Sequence, residues 1–129
     1  MQDVTTVSME SKDLANRCAE ICEDRKAENV VLYDVRGASI LADFYLICTA
    51  NSDPHMRAVV GRLNRDLAEE EIRPNHVEGQ PASRWVIIDY GSVIVHVLDS
   101  ERRGFYDLED LWGEDRIIYR SNGNGEDEP

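Results

Sequence analysis

Basic residues are few in this chain: 14 Lys and Arg stand against 26 Asp and Glu, for a formal net charge of −12 over 129 residues. Nucleic-acid phosphates are gripped by Lys and Arg, so a chain this short of them makes a poor direct binder of nucleic acid. Cysteine is sparse and odd in number, at Cys18, Cys22 and Cys48. That leaves no closed disulfide framework and fits reduced thiols in the cytoplasm, the expected location. Long apolar runs are lacking: no stretch approaches the roughly 20 residues that span a bilayer. The opening MQDVTTVSMESKD contains no apolar signal region. Catalytic signatures are missing too. The histidines are His55, His76 and His96, and neither a nucleophile elbow nor a phosphate loop occurs. No catalytic residue, cofactor or metal site is expected.

Hydrophobic residues make up 42% of the chain, enough for a core without covalent staples at this length. No repeat or linker divides it. The expectation is one domain over residues 1–120, with an acidic disordered tail over 121–129 (SNGNGEDEP). Such an acidic surface suits a basic protein partner, whose approach it would speed. Solubility alone is the competing explanation of the charge.

Ser8 is a candidate helix cap, with Glu10 in the first turn. Leu14, Cys18, Ile21 and Cys22 then fall on one face, which predicts a helix over about 9–25. Cys18 and Cys22 share that face, but a metal site needs further ligands and none lies nearby in sequence, so buried core thiols are expected. Strands are predicted over 29–35 (NVVLYDV) and 42–49 (ADFYLICT). Asn51-Ser52-Asp53-Pro54 opens a second helix, 53–71, with an apolar stripe of Met56, Val59, Val60, Leu63 and Leu67. Arg73-Pro74 ends it. A short strand at 75–78, a loop at 79–83, hairpin strands at 84–89 and 92–98, a helical turn at 107–112 and an edge strand at 116–119 complete the chain. Helix, strand, strand, helix, short strand and hairpin describe an α/β or α+β fold, with a mixed sheet of about five strands flanked by two main helices.

The richest stretch is His76–Trp112. It holds both tryptophans and the β-branched runs Val86-Ile87-Ile88 and Val93-Ile94-Val95 around Asp89-Tyr90-Gly91. Gly91 suits the left-handed position of a three-residue loop; a two-residue loop would place Trp85 opposite His96. A one-residue slip swaps the faces, so the register stays open at this level. Trp85, Tyr90, Tyr106 and Trp112 supply aromatic anchors. Asp89, Asp107, Glu109 and Asp110 supply charge for Lys or Arg opposite. Large aromatics among acids read as a protein-docking surface; core tryptophans beside solvated acids are the alternative. Glu78 either faces a partner or pairs with Arg84. Gly79 ends a strand and needs no function.

Several blocks together carry a family likeness: HVEG (76–79), RWVIIDYG (84–91), VIVHV (93–97) and YDLEDLW (106–112). Upstream, DVRGASILADFYLI (34–47) and NSD (51–53) continue it. In that order and spacing, from about Ser8 to Trp112, the chain resembles the ribosomal silencing factors, also called the Iojap-like family. The resemblance implies a nucleotidyltransferase-like fold. It implies a protein that binds the large ribosomal subunit through ribosomal protein fourteen, blocks joining of the small subunit and represses translation when nutrients are short. Contact with ribosomal RNA would be minor. Carried onto this chain, the contact residues are Trp85, Asp89, His96, Tyr106 and Leu108, with Glu78 and Trp112 beside them. Trp85, Tyr106 and Leu108 would be apolar anchors; Asp89 and Glu78 would pair with basic groups. Family members often carry an acid after the turn glycine, where this chain has Ser92. Members also tend to form homodimers, and a docking face that doubles as the dimer face would have to separate before binding.

The implied fold raises one alternative, a nucleotide-binding enzyme. A nucleotidyltransferase holds its metal ions with paired carboxylates, usually Asp-x-Asp on a strand, after a Gly-Ser turn. Here the turn is Gly37-Ala38-Ser39 and Asp43 has no partner: two residues on stands Tyr45. One carboxylate makes a weak metal site. Asp43 is therefore expected as a strand-end or capping acid.

Overall fold

A computed structural model describes residues 10–106 and 108–121. Helix α1 spans Ser11–Asp24 and buries Leu14, Cys18, Ile21 and Cys22 as the spacing predicts. Its start differs from expectation. Glu10 is the extended cap residue rather than part of the first turn, the first-turn acid is Asp13, and the Glu10 side chain makes no cap hydrogen bond. Ser8, the expected cap, lies outside the described residues. The end closes when Lys26 turns left-handed (φ 66°) and Ala27 N–H donates to Cys22 O at 2.9 Å.

Strands β1 (Glu28–Asp34) and β2 (Phe44–Thr49) follow as an antiparallel pair. Helix α2 (Asp53–Glu69) begins as predicted: Ser52 Oγ accepts from His55 N–H at 3.1 Å, with Pro54 in the first turn. It stops before Arg73-Pro74. Glu71 turns left-handed and Ile72 N–H reaches back to Leu67 O at 2.8 Å, the same closure that ends α1. Then come β3 (His76–Gln80), a 3-10 turn (Pro81–Ser83), β4 (Trp85–Asp89) and β5 (Val93–Leu98). Helix α3 (Ser100–Tyr106), 3-10 turns at Leu108–Leu111 and Glu114–Arg116, and β6 (Ile117–Arg120) complete the described chain.

The sheet has six strands rather than about five, in the order β3-β4-β5-β2-β1-β6. The pair β2–β5 is parallel and the other neighbours are antiparallel. The sixth is β6, which lies beside β1; Ser121, expected to begin the tail, is held by bonds in both directions with Val30 (2.8 and 3.0 Å). The rest of the expected tail and the loose start over residues 1–7 lie outside the described residues.

Both α1 and α2 cover one face of the sheet. Val30, Leu32, Phe44, Leu46, Cys48, Val86, Ile88, Val93, Val95 and Val97 meet them there in one core. Because side chains alternate along a strand, the intervening residues point the other way. Val31, Tyr33, Val35, Ile47 and Leu98 form a smaller cluster on that second face, with Tyr45, Trp85, Trp112 and Ile117 packed on it. The two helices thus do not flank the sheet from both sides. Among the described residues, the second face is covered where the chain after β5 crosses it to reach β6.

Candidate docking face

The register decides what the second face presents. Trp85 stands opposite Leu98, Ile87 opposite His96, and Asp89 opposite Ile94. On the outer side, Glu78 stands opposite Ile87 and His76 opposite Asp89. Three residues, Tyr90 to Ser92, separate the hairpin strands. Gly91 is left-handed (φ 93°), Tyr90 N–H donates to Val93 O at 2.9 Å, and Asp89 Oδ1 accepts from Gly91 N–H at 2.8 Å. The register with Trp85 opposite His96 is not adopted. Trp85, Ile87, Asp89, Glu78 and His96 therefore share one face, the one the main helices leave open.

Trp85 nevertheless reaches His96 diagonally: its Nε1–H donates to His96 Nδ1 at 3.2 Å. Accepting at Nδ1 puts the proton of the neutral imidazole on Nε2. Burial pulls the His96 pKa down to about 4, so the ring is neutral at physiological pH. Tyr45 stacks on His96 with centroids 5.7 Å apart, and Trp112 meets Tyr45 edge-on at 5.2 Å. A line of rings, Trp85–His96–Tyr45–Trp112, thus crosses β4, β5, β2 and the returning segment. The Trp112 indole N–H is buried with no acceptor among the described residues.

Tyr45 joins this face although no functional motif in the sequence marks it. The available signal was alternation: Phe44 and Leu46 face the helices, which turns Tyr45 to the ring line. Arg103 likewise carries no local signal in the sequence. It is buried, and its Nη1 donates to Asn29 O (2.7 Å) and Thr49 Oγ1 (2.9 Å), tying α3 to β1 and β2. Asp99 Oδ1 caps α3 at Arg102 N–H (2.9 Å), and Asn51 Oδ1 accepts from Ser100 N–H (2.8 Å). A buried arginine is exceptional unless paired, but nothing in sequence shows which carbonyls will surround it.

The remaining site residues divide. Glu78 pairs with His76 (Oε2 to Nε2, 3.0 Å), both well exposed; it does not pair with Arg84, which lies 3.9 Å from Asp99. Glu78, Gly79, Ser83, Trp85, Ile87 and Arg102 line a shallow cleft of about 360 Å³. Gly79 does more than end a strand. It pairs with Val86 inside β3 at φ 82°, and a Cβ there would lie 2.1 Å from Trp85 O. Tyr106 closes α3 and Leu108 opens the next turn. Their side chains, and Asp107 altogether, lie outside the described residues.

The candidates for other chemistry take structural roles. Asp43 N–H donates to Ser92 O at 2.8 Å and its carbonyl accepts from Val35 N–H at 2.9 Å, which makes it a strand-end residue. Tyr45, in the place of a second acid, belongs to the ring line. Cys18, Cys22 and Cys48 are free and buried in the helix-side core. Burial pushes the Cys18 thiol up to about 12, and a hydrogen bond with Cys48 together with burial raises Cys22. Such thiols stay protonated and inert. Among the described residues no group of three His, Cys, Asp or Glu is placed to hold a metal ion, and no helix is long and apolar enough to cross a membrane.

The family model described as "Ribosomal silencing factor during starvation" matches residues 8–128. The chain belongs to the ribosomal silencing factor family. One member, Ribosomal silencing factor RsfS of Halalkalibacterium halodurans, is 39% identical over 106 residues, covering 82% of this chain and 91% of the relative. Protein Iojap-related, mitochondrial, of Arabidopsis thaliana is 36% identical over 98 residues, covering 72% of this chain and 53% of that protein. A crystal structure from Chromobacterium violaceum superposes with a TM-score of 0.77 at 25% identity, over 89% of this chain and 98% of that one. The mixed sheet with its two main helices on one side is therefore the fold of this silencing factor's relatives as well.

Proposed function

We propose that this ribosomal silencing factor acts by docking, without catalysis, on ribosomal protein fourteen of the large subunit. Occupying that protein blocks the small subunit from joining and represses translation in starvation. The observation that carries the reading is the open sheet face, where Trp85, His96, Tyr45 and Trp112 form a continuous ring line bordered by Asp89 and Glu78. Aromatic anchors bury large area at low entropic cost, and acids beside them suit a basic protein. Trp85 and His96 supply the apolar floor. Asp89 and Glu78 receive basic groups, and Tyr106, Leu108 and Trp112 extend the contact along the returning segment. Contact with RNA is slight, the protein works in the cytoplasm, and residues 1–120 act as one domain. The free protein is a homodimer.

The test is binding of the purified protein to isolated large subunits, beside a Trp85→Ala variant whose folding is checked. Loss of a central anchor is expected to weaken binding by about 2 kcal/mol or more. Tight binding unchanged by the substitution would move the interface elsewhere, and no wild-type binding would sink the reading. Nucleotide and magnesium binding assays discriminate the enzyme alternative, which requires both ligands. Mass measurement of free and subunit-bound protein tests the dimer.

A further inference from the structure

The three most exposed large apolar side chains among the described residues are Ile40 (101%), Leu41 (67%) and Leu111 (65%). Single exposed apolar residues are ordinary. These three, however, sit on two segments that each adjoin Tyr45. Ile40 and Leu41 follow Ser39, whose side chain lies near that of Tyr45, in the loop that leads into β2. Leu111 precedes Trp112, whose ring meets Tyr45 edge-on. Both apolar elements are thus carried on segments whose adjoining residue, Ser39 or Trp112, borders Tyr45 in the ring line.

The loop that presents Ile40 and Leu41 is built, not slack. Ala38 and Ser39 N–H both donate to Val35 O (3.0 and 2.9 Å), and Leu41 N–H donates to Ser39 Oγ (3.0 Å). Its two ends are tied by Val35 N–H to Asp43 O, and Asp43 N–H binds it to the hairpin turn at Ser92 O. Little backbone ordering entropy remains to be lost when this loop is covered. Among the described residues, nothing covers Ile40.

We infer that Ile40, Leu41 and Leu111 form an apolar rim of the docking face, which seats on an apolar patch beside the basic residues of the same protein partner. The inference rests on the docking role proposed above and adds the partner's second feature. A second copy of this chain is the poorer occupant. Two such faces brought together would oppose Asp89 and Glu78 with like charges, on chains of net charge −12.

The experiment measures affinity for isolated large subunits of the wild type, Ile40→Ser with Leu41→Ser in one variant, and Trp85→Ala, with thermal stability and mass recorded for each. Serine leaves the charge unchanged, so ribosomal RNA repulsion does not enter. The rim variant is expected to bind about tenfold more weakly at unchanged thermal stability. That factor should be the same at low and high salt, since apolar contacts are not screened. Rim binding equal to wild type, with Trp85→Ala weakened, overturns the rim alone. Rim binding equal to wild type with loss of a dimer assigns the rim to a second copy and overturns it too. Weak rim binding with Trp85→Ala unaffected removes the shared face. No wild-type binding removes the docking role and the rim together.

Discussion

The two faces of one sheet are made by the same strands and have opposite characters. On the helix side, Leu46, Cys48, Val86, Ile88 and Val95 are buried against α1 and α2, and even the thiols are pushed toward the protonated form. On the other side, alternate residues of those strands present Tyr45, Trp85, Ile87, Asp89 and His96, and the cover that the described residues give there is partial. The first face is finished by this chain. The second is half finished, with an apolar middle, acids at its border and exposed Ile40, Leu41 and Leu111 at its rim. Composition cannot distinguish the faces, because Val, Ile and aromatic residues supply both. What distinguishes them is which face received the helices.

The sharpest way to break this contrast is truncation on each side. Leu46→Ala removes a fully buried side chain and is expected to destabilise the fold by about 2–5 kcal/mol. Ile87→Ala, half-buried on the open face, should cost under about 1 kcal/mol in denaturant unfolding while weakening large-subunit binding. Equal stability losses would mean that the open face is as complete as the helix side.

Acid pH probes the open face through His96. His96 is neutral when folded, with a pKa held near 4 against the ordinary 6.5. The unfolded chain therefore binds the extra proton, and stability rises with pH. The contribution of neutral burial is complete above about pH 6.5 and is lost as pH falls toward 4, amounting to about 3 kcal/mol. The wild type should lose this stability across that window in urea titrations, relative to a His96→Phe variant. Parallel pH profiles for the two proteins would place the acid sensitivity elsewhere.

A smaller effect probes the border of the face. Gly79→Ala sets a Cβ against Trp85 O at a left-handed position, so the β3–β4 hairpin must shift. The expected loss is about 1–3 kcal/mol, read as a lowered denaturant midpoint. An unchanged midpoint would restore the simpler view of Gly79 as a mere strand terminus.

Much of this was legible along the chain. Helical spacing of Leu14, Cys18, Ile21 and Cys22 marks α1, and Ser52 with Pro54 marks the start of α2, because caps and periodicity are local. The hairpin is legible from its β-branched runs and Gly91. Helix ends are less so: α2 closes at a left-handed Glu71 rather than at Arg73-Pro74, since a left-handed residue other than Gly leaves no reliable mark.

Family membership, the hairpin and the aromatic, acid-rich stretch from His76 to Trp112 are properties of sequence, since they rest on residue identity and short spacing. Tertiary structure alone decided the rest. A one-residue slip in β4 would exchange Trp85 and Ile87 for Val86 and Ile88; the register is set by burying Val86 and Ile88 under α2 and α1. Tyr45 joins His96 to Trp112 only because β2 pairs in parallel with β5, 49 residues later in the chain. Arg103 finds Asn29 O and Thr49 Oγ1 only across separations of 74 and 54 residues. Such contacts depend on long-range burial, and no local pattern encodes where a distant carbonyl or ring will arrive.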